Sequence, residues 1–398
     1  MKTISRFTSC DVYILFWLLY NLQGVLYPSG SLISQGLLAI ILLWSIFNCV
    51  RANQIGAKPL YFRGLNLLVL LFSVYGLIYM MVGPDLYITE NEKSGVKKFG
   101  YLKDIYSSLL PIYSFYLFTK QGKLTEKSLR KWFYVFIVVA ILQYVRSQRE
   151  AMIAAMTNNS NVDGVTNNAG YLFVALIPGL LLLRNKPIVQ NIVLALTMFL
   201  ILISMKRGAI LIGVLSLIIF FSYKLRYSSG RKKVGVILVV LLAVAASYFA
   251  VEYMMNTNDY FNGRVEATLA GDDSHRGEMY SNLWHTFLYD STLLQMLIGR
   301  GAWGTLTVSF NFAHNDWLEI LIDLGVTGVV IYIYYWLCFL RTCRNKRLPE
   351  SSRICLYLVL LGCFTQTIFS MSYSGMNIYL TSVMGLCLAG GLGENSES

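Results

Sequence analysis

The residues able to do chemistry gather in one polar stretch of an otherwise apolar chain. All three histidines lie in it or at its edge: His275, His285 and His314. Arg276 follows Asp272-Asp273-Ser274-His275, Arg264 lies a dozen residues earlier, and Arg300 sits in Leu297-Ile298-Gly299-Arg300-Gly301. The stretch closes on His314-Asn315-Asp316-Trp317-Leu318-Glu319. Guanidinium groups suit phosphate and diphosphate, because their planar fork pairs bidentately and stays charged. Ion pairing with the neighbouring acids is the competing reading for Arg276. A histidine that opens a helix has its charged form disfavoured by the helix dipole, so it is neutral and able to accept a proton. Capping or interfacial hydrogen bonding is the competing reading for His314. If a helix starts there, His314, Trp317, Leu318 and Leu321 share a face, while Glu319 and Asp323 form an i,i+4 pair on another.

A second candidate is Lys206-Arg207, in Ser204-Met205-Lys206-Arg207-Gly208-Ala209, where a turn of one or two residues joins two apolar runs. Two readings compete here as well. Long cationic side chains snorkel to the membrane surface. Against that, a charge kept within a bilayer costs ~2.5–3.5 kcal/mol on insertion scales and is a functional candidate by default.

Other chemistries find no support. The histidines lack metal-ligand spacing, and there is no Gly-x-Ser-x-Gly element or phosphate-cradling glycine loop. The seven cysteines lie in or beside apolar runs with no Cys-x-x-Cys, which argues against a disulfide framework or a thiolate metal site. Neither a metal nor a cofactor is expected.

The elements that must position these residues are membrane helices. Of 398 residues, 56% are hydrophobic and only 14% charged, and the mean hydropathy is +0.55. The expected fold is all-α: a polytopic integral membrane protein, one membrane domain over 1–398. About twelve spans are read at 12–27, 32–50, 64–83, 105–118, 132–145, 169–183, 188–204, 207–223, 234–251, 317–340, 354–371 and 377–391. The first run follows Lys2 and Arg6 like a signal peptide, but it lacks a small-residue cleavage site and reads as a retained span. The net charge of +12 sits in short clusters between spans, which is what membrane orientation requires, and nucleic acid is set aside. With both termini cytoplasmic, 22 of the 33 basic residues fall inside. Loop 84–104, with Lys93, Lys97, Lys98 and Lys103 outside, is the exception.

This orientation makes 252–316, between spans nine and ten, a large extracytoplasmic loop carrying the site. Within it, 281–288 and 293–298 read as short amphipathic helices on the membrane face. Loop 146–168, rich in Asn, Ser, Thr and Gly, is either a lid or a plain connection. Gly325 and Gly328 read as close-packing positions in the tenth span.

Arg207-Gly208 opening a span, the loop with Arg276 and Trp284, the Gly299-Arg300-Gly301 turn, and His314-Asn315 with nine residues to Gly325-x-x-Gly328 together resemble the bacterial O-antigen ligase and polymerase family. The resemblance covers roughly 165–340. One departure is Ile298 before the Gly-x-Gly, where the family often has Pro. The resemblance implies metal-independent, inverting glycosyl transfer on the outer face of the bacterial inner membrane. The donor would be a glycan on undecaprenyl diphosphate. Arg207 and Arg276 would bind the diphosphate and His314 would be the base, with Lys206, Arg264, Arg300, Asn315 and Glu319 in support. The acceptor would be a second lipid-linked repeat unit, as in a polymerase of O-antigen, capsule or exopolysaccharide, or lipid A-core, as in a ligase. Polymerase is preferred because sugar-chain loci have many different polymerases, whereas a cell usually has one ligase. A transporter or flippase, the alternative class, calls for polar residues at mid-span, and here they gather at one face.

Overall fold

The computed structural model of the chain describes residues 7–86, 96–156, 169–204, 206–227, 230–257, 262, 266, 276–309 and 311–393. Among them the regular structure is helical, with a single isolated bridge between Gln23 and Tyr27. The first ten helices are α1 (Ser9–Asn21), α2 (Leu32–Gln54), α3 (Tyr61–Val82), α4 (Gly100–Leu109), α5 (Pro111–Lys120), α6 (Glu126–Met156), α7 (Ala169–Val174), α8 (Pro187–Ile203), α9 (Arg207–Tyr227) and α10 (Arg231–Thr257). A 3₁₀ helix, Pro178–Leu183, follows α7. The polar stretch forms α11 (Arg276–His285), a π turn (Thr286–Asp290), α12 (Leu293–Ile298) and α13 (Leu306–Ser309). The long α14 (Asp316–Cys343), α15 (Glu350–Phe369) and α16 (Ile378–Leu388) complete the fold.

Among the described residues six helices are long and apolar enough to cross a membrane: Leu32–Gln54, Tyr61–Val82, Glu126–Arg146, Arg207–Arg226, Asp316–Cys343 and Glu350–Phe369. Gly170–Leu183, Pro187–Ile203 and Ile378–Leu388 are shorter apolar helices. Leu43, Phe47, Leu70 and Met81 are each more than half exposed. Such side chains are stable where lipid covers them, and the helices keep their backbone groups paired internally. The protein is a helical membrane protein.

Between lipid-facing helices, close approach must supply the packing energy, and small residues permit it. A Cβ on Gly64 of α3 would come within 2.8 Å of the Tyr335 Cα on α14. One on Gly385 of α16 would come within 2.8 Å of the Tyr116 backbone nitrogen on α5. Polar pairs add direction to these contacts: Tyr61 and Tyr335 join their hydroxyls at 3.0 Å, and Tyr61 N–H donates to Thr342 Oγ1 at 2.9 Å.

Several expected spans take a different form. The run 12–27 gives only the 13-residue α1, capped by a Thr8–Asp11 box and ending before Gly24 at φ 73°. At 1.5 Å per residue α1 is about 20 Å long, short of the ~30 Å hydrocarbon core. The run 105–118 is divided at Pro111, which has no N–H to continue the helical ladder. Residues 146–156, expected in a loop, continue α6, whose 31 residues extend about 46 Å and so outrun the core. Residues 157–168 lie outside the described residues. The first amphipathic helix starts at Arg276 and ends at His285, whereas the second occupies Leu293–Ile298 as expected.

The tenth expected span is also broken. Gly325 has φ 65° and ψ −166°, which interrupts α14 nine residues in. The carbonyls this break releases are taken by another segment: Arg300 N–H donates to Ile322 O at 2.8 Å and Gly301 N–H to Asp323 O at 2.9 Å. A Cβ on Gly325 would stand 2.5 Å from the Leu297 carbonyl carbon, and one on Gly299 (φ 80°) would overlap the Asp323 carbonyl. The two glycine elements are therefore one structural unit, in which each leaves room for the other's backbone.

Candidate active site

Three helix starts and the end of a fourth helix meet around His314. The first start is that of α9, where Arg207 is half-buried. Gly208 behind it lies against the Tyr171 hydroxyl of α7, and a Cβ there would come within 2.8 Å of Phe369 Cβ at the end of α15. A Cβ on Gly170 would reach within 2.8 Å of Ala209 Cβ and 3.0 Å of Lys206 Cβ. These two glycines let α7 and α15 close onto the Lys206-Arg207 junction. Lys206 Nζ stands 5.9 Å from the centre of the Tyr171 ring, within cation–π range.

The second start is that of α11. Arg276, its first residue and half-buried, donates from Nη1 to Phe369 O at 3.4 Å. That bond joins α11 to the α9–α15 contact. Helix N-termini carry partial positive charge, so cations placed there gain nothing from the dipole, while an anion gains from both.

The third start is that of α14. Its N-cap is Asn315, whose side chain accepts from Trp317 N–H at 3.0 Å and Leu318 N–H at 3.3 Å. His314 therefore precedes the helix instead of opening it, and its φ is 53°. A left-handed conformation in a non-glycine residue costs about 1–2 kcal/mol and persists only where neighbours impose it. Trp317 Nε1 donates to Thr367 Oγ1 at 2.9 Å. Buried Asp316 accepts from Tyr332 Oη at 2.6 Å and from Ser372 N–H at 3.0 Å, which ties α14 to the chain beyond α15.

Burial, and then the positive charges of Arg276 and Lys206, push the His314 imidazole down to about 4. That direction favours the neutral ring, and its cause is burial and two cations rather than a helix dipole. Cations beside helix starts are chemistry that suits an anion, and a neutral imidazole is chemistry that can accept a proton.

Of the sequence candidates, Lys206, Arg276 and His314 are brought together, and Arg207 starts α9 directly after Lys206. Asn315 is the cap. Glu319 is fully buried, accepting from Ala313 N–H at 2.7 Å and Thr305 Oγ1 at 2.9 Å. Arg300 lies in the turn that caps the α14 break, its guanidinium donating to Ser291 Oγ at 3.3 Å. Arg264 and His275 lie outside the described residues. His285, at the far end of α11, is exposed, with Nδ1 3.5 Å from Asp290 Oδ2. Tyr171 and the Phe369 carbonyl were missed. A tyrosine opening an apolar run and a backbone oxygen leave no sequence signal.

Residues 192–333 match the family model described as O-antigen ligase. Over this region the chain is similar to the O-antigen ligase family. No curated protein and no solved structure gives a match. The O-antigen ligase region contains Lys206, Arg207, Arg276, Arg300, His314, Asn315 and the Gly325-x-x-Gly328 element. Tyr171 and Phe369 lie outside it, so the site is closed by chain on both sides of the matched segment. The family implies a glycosyl-transferring enzyme that acts on lipid-linked glycans in the membrane.

Proposed function

We propose that the protein polymerises glycan repeat units carried on undecaprenyl diphosphate, at the outer face of the bacterial inner membrane. The observation that carries this reading is the meeting of Lys206, Arg207 and Arg276 with a neutral His314 where three helices start. The cations hold the donor's diphosphate. His314 takes the proton of an acceptor hydroxyl as its oxygen forms a bond to the anomeric carbon. The bond from that carbon to the diphosphate oxygen breaks with inversion, and the electron pair leaves on the diphosphate, stabilised by the cations. Diphosphate is a good leaving group, so no acid and no metal is required. The family's description as O-antigen ligase favours one second reading, transfer of the glycan to lipid A-core. A reaction with purified protein and lipid-linked donor separates the two: a ladder of lengthened lipid-linked glycan means polymerase, and product only when lipid A-core is added means ligase.

The topology that goes with this has both termini cytoplasmic and 252–316 outside as the site-bearing loop. Asn282 and Asn345 are exposed on α11 and beyond α14. In a cysteine-free background, Asn282→Cys is expected to react with an impermeant maleimide in cells whose outer membrane is permeabilised, and Asn345→Cys to react only after lysis. The reverse pattern would put the site on the wrong side of the membrane for a translocated donor.

The pH profile follows from His314. Its proton affinity is lowered to about 4 in the free protein, so the neutral, competent form prevails above that value and is lost below it. Bound diphosphate neutralises part of the charge of Arg276 and Lys206, which raises the basicity of His314. The acid limb of kcat/KM for the donor is therefore expected near pH 4, and that of kcat higher, each falling about tenfold per pH unit. Coincident limbs would separate His314 from the diphosphate charge.

A further inference from the structure

Apart from Trp303, His314 is the only described non-glycine residue with positive φ, and both follow from one buried structure. Glu319 and Asp323 lie one turn apart on α14, each no more than 2% exposed. Thr305 Oγ1 bridges them, 2.9 Å from Glu319 Oε1 and 2.8 Å from Asp323 Oδ1. Asp323 then takes the backbone of one loop, accepting from Trp303 N–H at 3.0 Å and Thr305 N–H at 2.9 Å. Glu319 takes the backbone of the other: its Oε2 accepts from Ala313 N–H at 2.7 Å, the residue just before His314. From the other side, Asn315 is fixed as the N-cap of α14. The backbone of His314 is thus held on both sides, by a carboxylate before it and a cap after it, and left-handed φ is how the chain joins the two.

We propose that Glu319 is a positioning residue for the transfer reaction: through Ala313 N–H it fixes the loop that aims His314 at the acceptor hydroxyl, and Thr305 and Asp323 hold its carboxyl in place. This rests on His314 being the base. What Glu319 supplies is an oxygen at a set place, not its charge or a proton. Ala313 is fully buried, so its N–H has no water to turn to when that oxygen is removed.

Glutamine separates these roles. In Glu319→Gln the amide oxygen can still accept from Ala313 N–H, and the amide NH₂ can donate to Thr305 Oγ1, which then donates to Asp323. Glu319→Ala removes the acceptor altogether. Purified variants are compared in donor turnover, with His314→Ala alongside, and the rate at which diethyl pyrocarbonate modifies His314 is followed by mass spectrometry without substrate. Glu319→Gln is expected to stay within about threefold of wild type. Glu319→Ala is expected to lose about 100-fold in kcat with donor KM little changed, as a loosened reacting group does, and its His314 to be modified faster. Glu319→Gln as slow as Glu319→Ala would mean that the carboxylate itself acts, and Glu319→Ala at wild-type rate would mean that the clamp is idle; either overturns the proposal. If Glu319→Ala does not accumulate, Thr305→Val tests the same clamp with every charge kept, and unchanged kcat and unchanged His314 modification there overturn it too. Turnover in His314→Ala would defeat the base assignment alone, because the modification rates still report whether Glu319 holds the loop.

Discussion

Replacing His314 by alanine is expected to abolish visible glycan elongation while the protein still accumulates in the membrane. A general base contributes ~10²–10⁴-fold, or about 3–5 kcal/mol of barrier. Little folding energy is lost with the ring, since it precedes α14 and the cap belongs to Asn315. His285→Ala should be mild, because that ring is exposed and faces Asp290 at the far end of α11. The nearby carboxylates make poor substitutes for the base. Asp316 and Glu319 are fully buried and already accept from Tyr332, Ser372, Thr305 and Ala313. The check is glycan chain length on gels, with membrane abundance measured in parallel.

Arg276→Lys is expected to lose most chain assembly, nearly as much as Arg276→Gln. The guanidinium donates to Phe369 O from Nη1, and a guanidinium carries further N–H donors in the same plane. A lysine offers a point charge that cannot hold the carbonyl and a diphosphate in one plane. Losing a bidentate charged pair to a phosphoryl group commonly costs several kcal/mol when the partner is left buried. The measurement is donor KM and kcat with purified protein. Full activity in both variants would reduce Arg276 to a tie between α11 and α15. Arg207 gives a less clean test, since it starts a membrane helix and its removal also bears on insertion.

The sequence made legible what depends on composition and on strong local signals. Apolar runs set the helices, and Leu293–Ile298 carries its own capping box at Thr292, so its bounds could be read directly. The nine-residue spacing from Asn315 to Gly325 was visible, but its meaning was not. Gly325 reads as a packing glycine in a straight helix until the backbone of Gly299 to Gly301 is seen filling the break. A helix that ends in mid-span needs partners for its carbonyls, and these came from residues some twenty positions upstream. The start of α14 was misjudged by two residues for a related reason. Asn315 caps better than His314, and the cap forces His314 out of the helix. Glu319 and Asp323 were legible as an i,i+4 pair, but not that Thr305 would bridge them or that Ala313 would hang from one of them. Tyr171 and Phe369 reach the site only through close approach at Gly170 and Gly208, a tertiary fact with no pattern along the chain.

The central claim is that this site transfers a glycan from a lipid diphosphate, with His314 activating the acceptor. The most direct test is to count the undecaprenyl diphosphate released for each glycosidic bond formed by purified protein, with chelator present, in wild type and in His314→Ala. Wild type is expected to release one diphosphate lipid per bond, unaffected by chelator, and His314→Ala to release at least 100-fold less per unit time. Release in His314→Ala within a few-fold of wild type, or a wild-type reaction that stops with chelator, would contradict the account.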